Sequence, residues 1–287
     1  MMSRVLVRFL RTGLGRSLLA PALRFRVQKW VVRSALWGDR APLRIAILSD
    51  LHWGMAPMNP TKVEAIKRRV QALGADMIVF LGDLPGARRD ALQTVRIAPG
   101  AEALAGLNAP LGVYAILGNH DWHGDPDAQQ RQAPPVVAAR HLEGAGFTVL
   151  QNSALRPGRA DIWLAGLDSQ QAIKRGRTRE GRDDLPATLG QAPGEDPVIL
   201  LAHEPDIFPS IADPRVILTL SGHMHAGQIR IGGRAIYAPS RFGTRYDYGR
   251  FEQDGRTLIV SAGLGASTIP LRIGTIPEIT LVDIAGK

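Results

Sequence analysis

The sequence contains no cysteine. That absence excludes disulfides and every thiolate metal site, so a bound ion would have to be held by His, Asp, Glu or Asn, a harder oxygen-and-nitrogen donor set. Long apolar runs are also missing. No stretch reaches about 18 uncharged apolar residues, which argues against a spanning helix. No internal repeat and no low-complexity linker divides the 287 residues. Acidic side chains are absent from residues 1–38, where eight basic ones fall. Without those eight, the chain has 27 basic residues against 26 acidic ones. The formal net charge of +9 therefore belongs mostly to one end, the body is nearly neutral, and no nucleic-acid partner is expected.

Residues 1–38 read as a basic amphipathic segment. Arg4, Arg8 and Arg11 share one helical face, with Val5, Leu6, Phe9 and Leu10 largely away from them. Beyond Pro21 a second basic stripe (Arg26, Lys29, Arg33) faces an apolar one (Leu23, Val27, Trp30, Val31). Such helices suit an anionic membrane surface, the alternative being an extension packed on the body. Arginines interrupt every stretch that could serve as the apolar core of a signal peptide. The expected location is cytoplasmic, peripheral on the inner face of the membrane.

From about residue 40 the pattern is that of one domain, residues 40–287. "RIAILS", "DMIVFLGD" and "GVYAILGNHD" read as buried strands, with helices expected over Pro60–Leu73, Ala91–Leu107 (split near Pro99 and Gly100) and Val136–Ala145. "FTVL", "DIWLAGLD", "DPVILLAHEP" and "PRVILTLSGH" continue the series, and the last fifty residues are rich in strands. Early alternation of strand and helix predicts parallel pairing, and the later part predicts a second sheet. The polar stretch 169–197, with "KRGRTREGRDD", reads as a solvated loop or lid edge rather than a core element.

Five of the predicted strands end in residues able to hold a metal. They give Asp50 and His52; Asp83; Asn119, His120 and Asp121; His203; and His223 and His225. Six of the seven histidines lie in or beside these tips. Ligands in open α/β sheets bind beyond the carboxyl ends of strands, so one site accounts for all of them. His223 and His225 sit two apart between Gly222 and Gly227, a spacing that puts both imidazoles on one side of an extended chain. Two divalent ions need a bridging carboxylate, for which Asp83 after Gly82 is placed, and a nearby histidine could protonate a leaving oxygen.

The order Asp-x-His, Gly-Asp, Gly-Asn-His-Asp, His, Gly-His-x-His resembles the calcineurin-like metallophosphoesterases from about Arg44 to the carboxyl end. The resemblance implies an α/β fold, a four-layer α-β-β-α sandwich of two mixed β-sheets flanked by helices. It also implies two divalent metal ions (Mn, Fe, Zn, Mg or Co). Asp50, His52 and His225 would hold the first, Asn119, His203 and His223 the second, and Asp83 would bridge them. His120 would be the catalytic histidine and Asp121 its orienting partner. "GHMHAGQI", "HEPD" and "GLGASTIPLRIGTIPEI" look like the small bacterial membrane-associated phosphodiesterase branch, some of whose members act on phospholipid-type or nucleotide-linked lipid substrates. That branch usually has Asn where Glu204 stands and Thr where Met224 stands. Gly86 and Ala87 replace the Asp-Arg pair of the phosphoprotein phosphatases.

Beyond the motif blocks, His123, Arg245 and Tyr246 are candidate substrate contacts, and Arg272 a core-rim ion pair or phosphate contact. The expected function is hydrolysis of a phosphodiester or pyrophosphate bond, including one in a lipid-linked substrate. A soluble nucleotide phosphodiesterase or phosphatase and a non-catalytic metal-binding scaffold are the alternatives.

Overall fold

The computed structural model describes residues 24–86, 96–158, 160–269 and 271–287. In chain order the first sheet takes β1 (Arg26–Ser34), β2 (Leu43–Leu48), β3 (Met77–Phe80), β4 (Val113–Ala115) and β5 (Thr148–Val149). The second takes β6 (Ser153–Leu155) and β7 (Trp163–Gly166), and a hairpin of β8 (Ile173–Arg175) and β9 (Thr178–Glu180) follows. The chain then supplies β10 (Val198–Leu201) and β11 (Val216–Ser221), a second small hairpin of β12 (Arg230–Ile231) and β13 (Arg234–Ala235), and β14 (Gly249–Gln253) and β15 (Arg256–Val260). It closes with β16 (Glu278–Gly286), which returns to the first sheet.

Two six-stranded sheets result, ordered β1-β16-β2-β3-β4-β5 and β14-β15-β11-β10-β7-β6. Both are mixed. β2 through β5 run parallel while β16 is antiparallel to β2, and β15, β11, β10 and β7 run parallel between antiparallel edges β14 and β6.

The continuous apolar runs follow from burial on both faces. In β2 and β3, Ile45, Ile47, Met77 and Val79 meet Leu164, Ile199, Leu201, Leu218 and Leu220 of the other sheet. The alternate residues Ala46, Leu48, Ile78 and Phe80 pack outward on Val63, Ile66 and Val70 of helix Pro60–Gln71, with Ile97, Leu104 and Leu142 from helices Ile97–Leu104 and Val137–Gly144. Helix Pro60–Gln71 starts where Asn59 accepts a hydrogen bond from the Lys62 amide at 3.0 Å, with Pro60 at its first position. Outside the second sheet Leu200, Val198 and Val260 are covered by Ile207, Phe208, Ile211 and Tyr246. Four layers are thus present, the last made of short turns and helix Leu185–Gly190.

Three expectations change. The helical stripe over Arg26–Arg33 is a strand instead: β1 pairs in parallel with β16 from Arg26↔Glu278 to Ser34↔Gly286. Its side chains alternate, with Val32 and Ser34 buried while Val31 and Arg33 stand in solvent. The β-branched valines and Trp30 favour this two-residue period over the helical one. The sheet thus extends across the boundary drawn at residue 38, and residues 1–23 of the expected amphipathic segment lie outside the described residues. Secondly, stretch 169–197 is no plain loop, because it builds the β8–β9 hairpin and helix Leu185–Gly190. Thirdly, Pro99 and Gly100 lie inside helix Ile97–Leu104, while residues 91–95 of the expected helix lie outside the described residues. Pro99 and Gly100 sit in the opening turns, where proline's missing N–H costs nothing.

Candidate functional site

The tips of β2, β3 and β4 in one sheet and of β10 and β11 in the other meet at one end of the sandwich. Five of the residues there, Asp50, His52, Asp83, His223 and His225, hold left-handed backbone angles, with φ between 49° and 67°. For a non-glycine residue that conformation costs on the order of 1 kcal/mol, and such outliers gather where geometry is dictated by a site. Close approach is required as well. A Cβ on Gly222 would lie 1.9 Å from Ser49 Oγ and 2.6 Å from Asp50 Oδ2, and one on Gly118 would lie 2.3 Å from Asp83 Oδ1.

Three overlapping groups have ligand atoms within 4.8 Å of one another: Asp50, His52 and His225; His52, Asp83 and His120; and Asp83, His203 and His223. Asp83 links the latter two. Its Oδ2 lies 3.3 Å from His203 Nε2, 3.7 Å from His52 Nε2 and 3.9 Å from His120 Nε2. Its Oδ1 accepts the His120 backbone N–H at 2.8 Å.

The hydrogen bonds behind the histidines decide which nitrogen faces inward. His203 Nδ1 donates to Leu81 O at 2.6 Å and His52 Nδ1 to Pro85 O at 3.3 Å, leaving both Nε2 atoms as lone-pair donors toward the centre. His223 Nε2 donates outward to Pro239 O at 3.1 Å, which leaves Nδ1 for the group it shares with Asp83 and His203. His203 Nε2 and Asn119 Oδ1 are buried acceptors without a hydrogen-bond partner. Orphaned buried acceptors are rare and call for an explanation; two of them beside Asp83, in a set made only of oxygen and nitrogen, fit divalent ions.

Asp50 is fully buried and accepts the His223 amide at 3.1 Å on each oxygen, with Ser49 Oγ donating to it as well. Its Oδ1 lies 3.4 Å from His225 Nε2. His225 Nε2 in turn is 2.9 Å from His52 Nε2. Burial, then His52 and Arg272, keep His225 well below its ordinary pKa. Arg272 is neither rim ion pair nor phosphate contact. It is completely buried, donates to the carbonyls of Gly263 and Gly265, and faces His225 Nδ1 at 3.1 Å. It ties the loop after β15 to the metal-ligand turn.

Asp121 does not orient His120. Its oxygens accept the amides of Asp83 (2.8 Å), Leu84 (3.0 Å) and Gly118 (2.7 Å), so it fixes the two turns that carry Asp83 and Asn119. Burial, helped by the Asp83 charge, raises it to about 7. His120 is only partly enclosed and lines the cleft, and burial lowers it to about 3.

The cleft above this centre has a volume of about 1010 Å³. His123 lines it, donating to Gln171 O at 3.0 Å. Arg245 and Tyr246 do not line it. Tyr246 is buried among Phe208, Phe242 and Phe251, with Arg245 over its ring, so an aromatic corner claims the pair. Sequence reasoning missed the walls. Gln171, Lys174 and Arg179 come from the stretch read as a solvated loop or lid edge, Ile236 and Tyr237 directly follow β13, and Ile269 lies between β15 and β16. The "HEPD" block explains part of this. Glu204 accepts from Ser169 Oγ and the Gln170 amide, and Asp206 from Ser240 Oγ and the Arg241 amide. Both acids pin loops that reach the cleft.

The sequence is also similar to those of known proteins. The family model described as calcineurin-like phosphoesterase matches residues 43–227. An uncharacterized metallophosphoesterase of Aquifex aeolicus is 31% identical over 263 residues, 91% of this chain and 92% of its own. A bovine transmembrane protein with metallophosphoesterase domain is 32% identical over 83% of this chain, which spans only 52% of that relative. The crystal structure of a dimetal phosphatase from Danio rerio superposes with a TM-score of 0.47 at 12% identity, covering 79% of this chain and 89% of the other.

Proposed function

The chain belongs to the calcineurin-like phosphoesterases, metal-dependent enzymes acting on phosphate esters, and from that premise we propose that it hydrolyses a phosphodiester or pyrophosphate bond, with a lipid-linked ester as substrate. Asp50, His52 and His225 would hold one divalent ion, and Asn119, His203 and His223 the other, with Asp83 as the carboxylate shared by the two groups of side chains. Bound there, two such ions supply an activated water at neutral pH and neutralise charge on the phosphoryl oxygens. Burial lowers the His120 pKa to about 3, so its imidazole would present an N–H to the leaving oxygen, where an anionic phosphate would raise that pKa. His123 closes the same side of the cleft.

The observation that carries the diester reading is the cationic wall. Lys174 and Arg179 line the cleft in addition to the metal-ligand floor, giving a second anionic group a place to bind. The apolar wall of Ile229, Ile236, Tyr237 and Ile269 supports the lipid-linked part. The test is hydrolysis of bis(p-nitrophenyl) phosphate and p-nitrophenyl phosphate by metal-stripped protein, with Mn²⁺, Mg²⁺ or Zn²⁺ returned singly. Metal-dependent turnover favouring the diester is expected. Preference for the monoester, or no turnover with ions bound, overturns the proposal.

A further inference from the structure

The mouth of the cleft is built as an amphiphile's surface. Among the described residues, the large hydrophobic side chains that stand out in solvent include Ile231 (69% exposed), Ile236 (64%), Tyr237 (71%) and Ile269 (49%). These four belong to two segments that are stitched together. Arg230 N donates to Ile273 O at 2.8 Å, Ile273 N to Gln228 O at 2.9 Å, and the Gln228 side chain bonds the backbone of Ser267 in both directions. The β12–β13 hairpin with Ile236 and Tyr237 and residues 267–269 therefore present their apolar residues as one rim beside the cleft, which Ile236, Tyr237 and Ile269 also line. Isolated exposed apolar residues mean little, but a contiguous group at a ligand site marks an interaction surface.

Charge identifies the partner. The β8–β9 hairpin, which borders the same cleft through Lys174, Gly176 and Arg179, carries Lys174, Arg175, Arg177 and Arg179 against a single acid, Glu180. The β12–β13 hairpin adds Arg230 and Arg234 with no acid. Glu180 is engaged by Arg175 and Arg182, and Arg230 by Asp247. Arg177 and Arg234 stand in solvent. Apolar side chains with a tyrosine, set among arginines around one opening, match the headgroup region of an anionic bilayer, where rings and aliphatic tips enter the interface and guanidinium groups meet lipid phosphates. A soluble small ester would require neither the exposed isoleucines nor the excess of positive charge outside the cleft.

We propose that this rim, formed by the β12–β13 hairpin, residues 267–269 and the β8–β9 hairpin, docks the active-site mouth onto an anionic lipid bilayer, so that a lipid-borne phosphate ester enters the cleft without leaving the interface. The inference rests on the lipid-linked reading of the substrate for its purpose. It places the membrane contact at the catalytic opening, independently of residues 1–38.

The test uses the full chain carrying Ile231→Trp, a position exposed and outside the cleft lining. The probe is vesicles of phosphatidylglycerol with brominated acyl chains, and brominated phosphatidylcholine vesicles serve as the neutral comparison. Bromine quenches only fluorophores that enter the acyl region. The expected result is quenching in the anionic vesicles beyond that of the unsubstituted protein, with its five native tryptophans, and little in the neutral ones. Arg177→Gln and Arg234→Gln should each weaken vesicle binding by about fivefold. Vesicle binding without added quenching at position 231, or binding insensitive to both arginines, overturns the docking surface and assigns attachment to another part of the chain. Turnover of bis(p-nitrophenyl) phosphate, measured on the same variants, should equal that of the unsubstituted protein. Absence of that turnover in every protein overturns the proposed activity, while the quenching still decides the docking.

Discussion

Replacing Asp83 with asparagine separates a metal ligand from a structural acid. The carboxylate is buried at 1% exposure among His52, His120 and His203. If its purpose were to hold the fold through those histidines, removing the charge would break a buried pair, at a cost of about 3–5 kcal/mol. The geometry argues for the opposite. Asparagine keeps an oxygen for the His120 amide, now at 2.8 Å from Oδ1. Its NH₂ would lie where Oδ2 stands, 3.3 Å from His203 Nε2, a buried acceptor that has no hydrogen-bond partner. Asp83→Asn should therefore leave the Tm of the metal-stripped protein unchanged or raise it slightly.

The difference should emerge on adding ions. A site filled at 100 times its Kd adds about 2.7 kcal/mol, so two sites add about 5 kcal/mol. In a chain of this length about 2 °C accompanies each kcal/mol, which predicts a rise of about 10 °C for the unsubstituted protein in saturating Mn²⁺. The variant, whose amide nitrogen cannot ligate, should gain less than half of that and lose diester turnover. Scanning calorimetry across a metal titration reads both quantities. A variant that melts several degrees lower without metal, yet keeps the full gain with it, would falsify the assignment of Asp83 as the shared ligand.

Two further substitutions probe the surroundings. Gly222→Ala places a Cβ against the buried Ser49 Oγ and Asp50 Oδ2. Overpacking of that kind costs about 1–3 kcal/mol, and Asp50 must move, so metal stoichiometry by native mass spectrometry should fall. A variant with both ions and an unchanged Tm would show that the turn has slack. Asp168 tests pH dependence. Burial raises its pKa from 3.8 to about 6, although Trp122 Nε1 donates to it at 2.9 Å. Because the folded value exceeds the unfolded one, the stability it contributes is complete below about pH 4 and is lost as pH rises through about 6. At about 1.4 kcal/mol per unit, the loss approaches 3 kcal/mol. Asp168→Asn should therefore gain stability over the unsubstituted protein between pH 4.5 and pH 7.5 in urea titrations. A difference between the two proteins that stays constant with pH would contradict the raised value.

The sequence made the centre of the molecule legible and its rim obscure, for a physical reason. A metal site needs particular donor atoms at the ends of particular strands, and parallel strands buried on both faces announce themselves as runs such as "RIAIL" and "MIVF". Donor residues directly after such runs could therefore be placed before any coordinates. Arg272 was less transparent. A lone arginine between apolar neighbours reads as a surface residue, and only the fold shows the carbonyls of Gly263 and Gly265 turned toward it.

The rim and the edge strand depend on tertiary partners that local pattern does not contain. Residues 26–34 carry a helical stripe of charges alongside β-branched residues that suit a two-residue alternation. β16, some 250 positions away, decides between them by offering a nine-residue parallel register. Likewise "KRGRTRE" carries too much charge to suggest a core element. It becomes a wall of the cleft because Glu204, directly after the ligand His203, accepts from Ser169 and Gln170 and anchors the start of the segment. Gln129 then accepts the Lys174 amide at 3.0 Å and orients the hairpin. Glu204 thus sits between His203 and the cationic wall of the cleft. Changes at that position are expected to alter which ester is accepted while the ligand set stays intact.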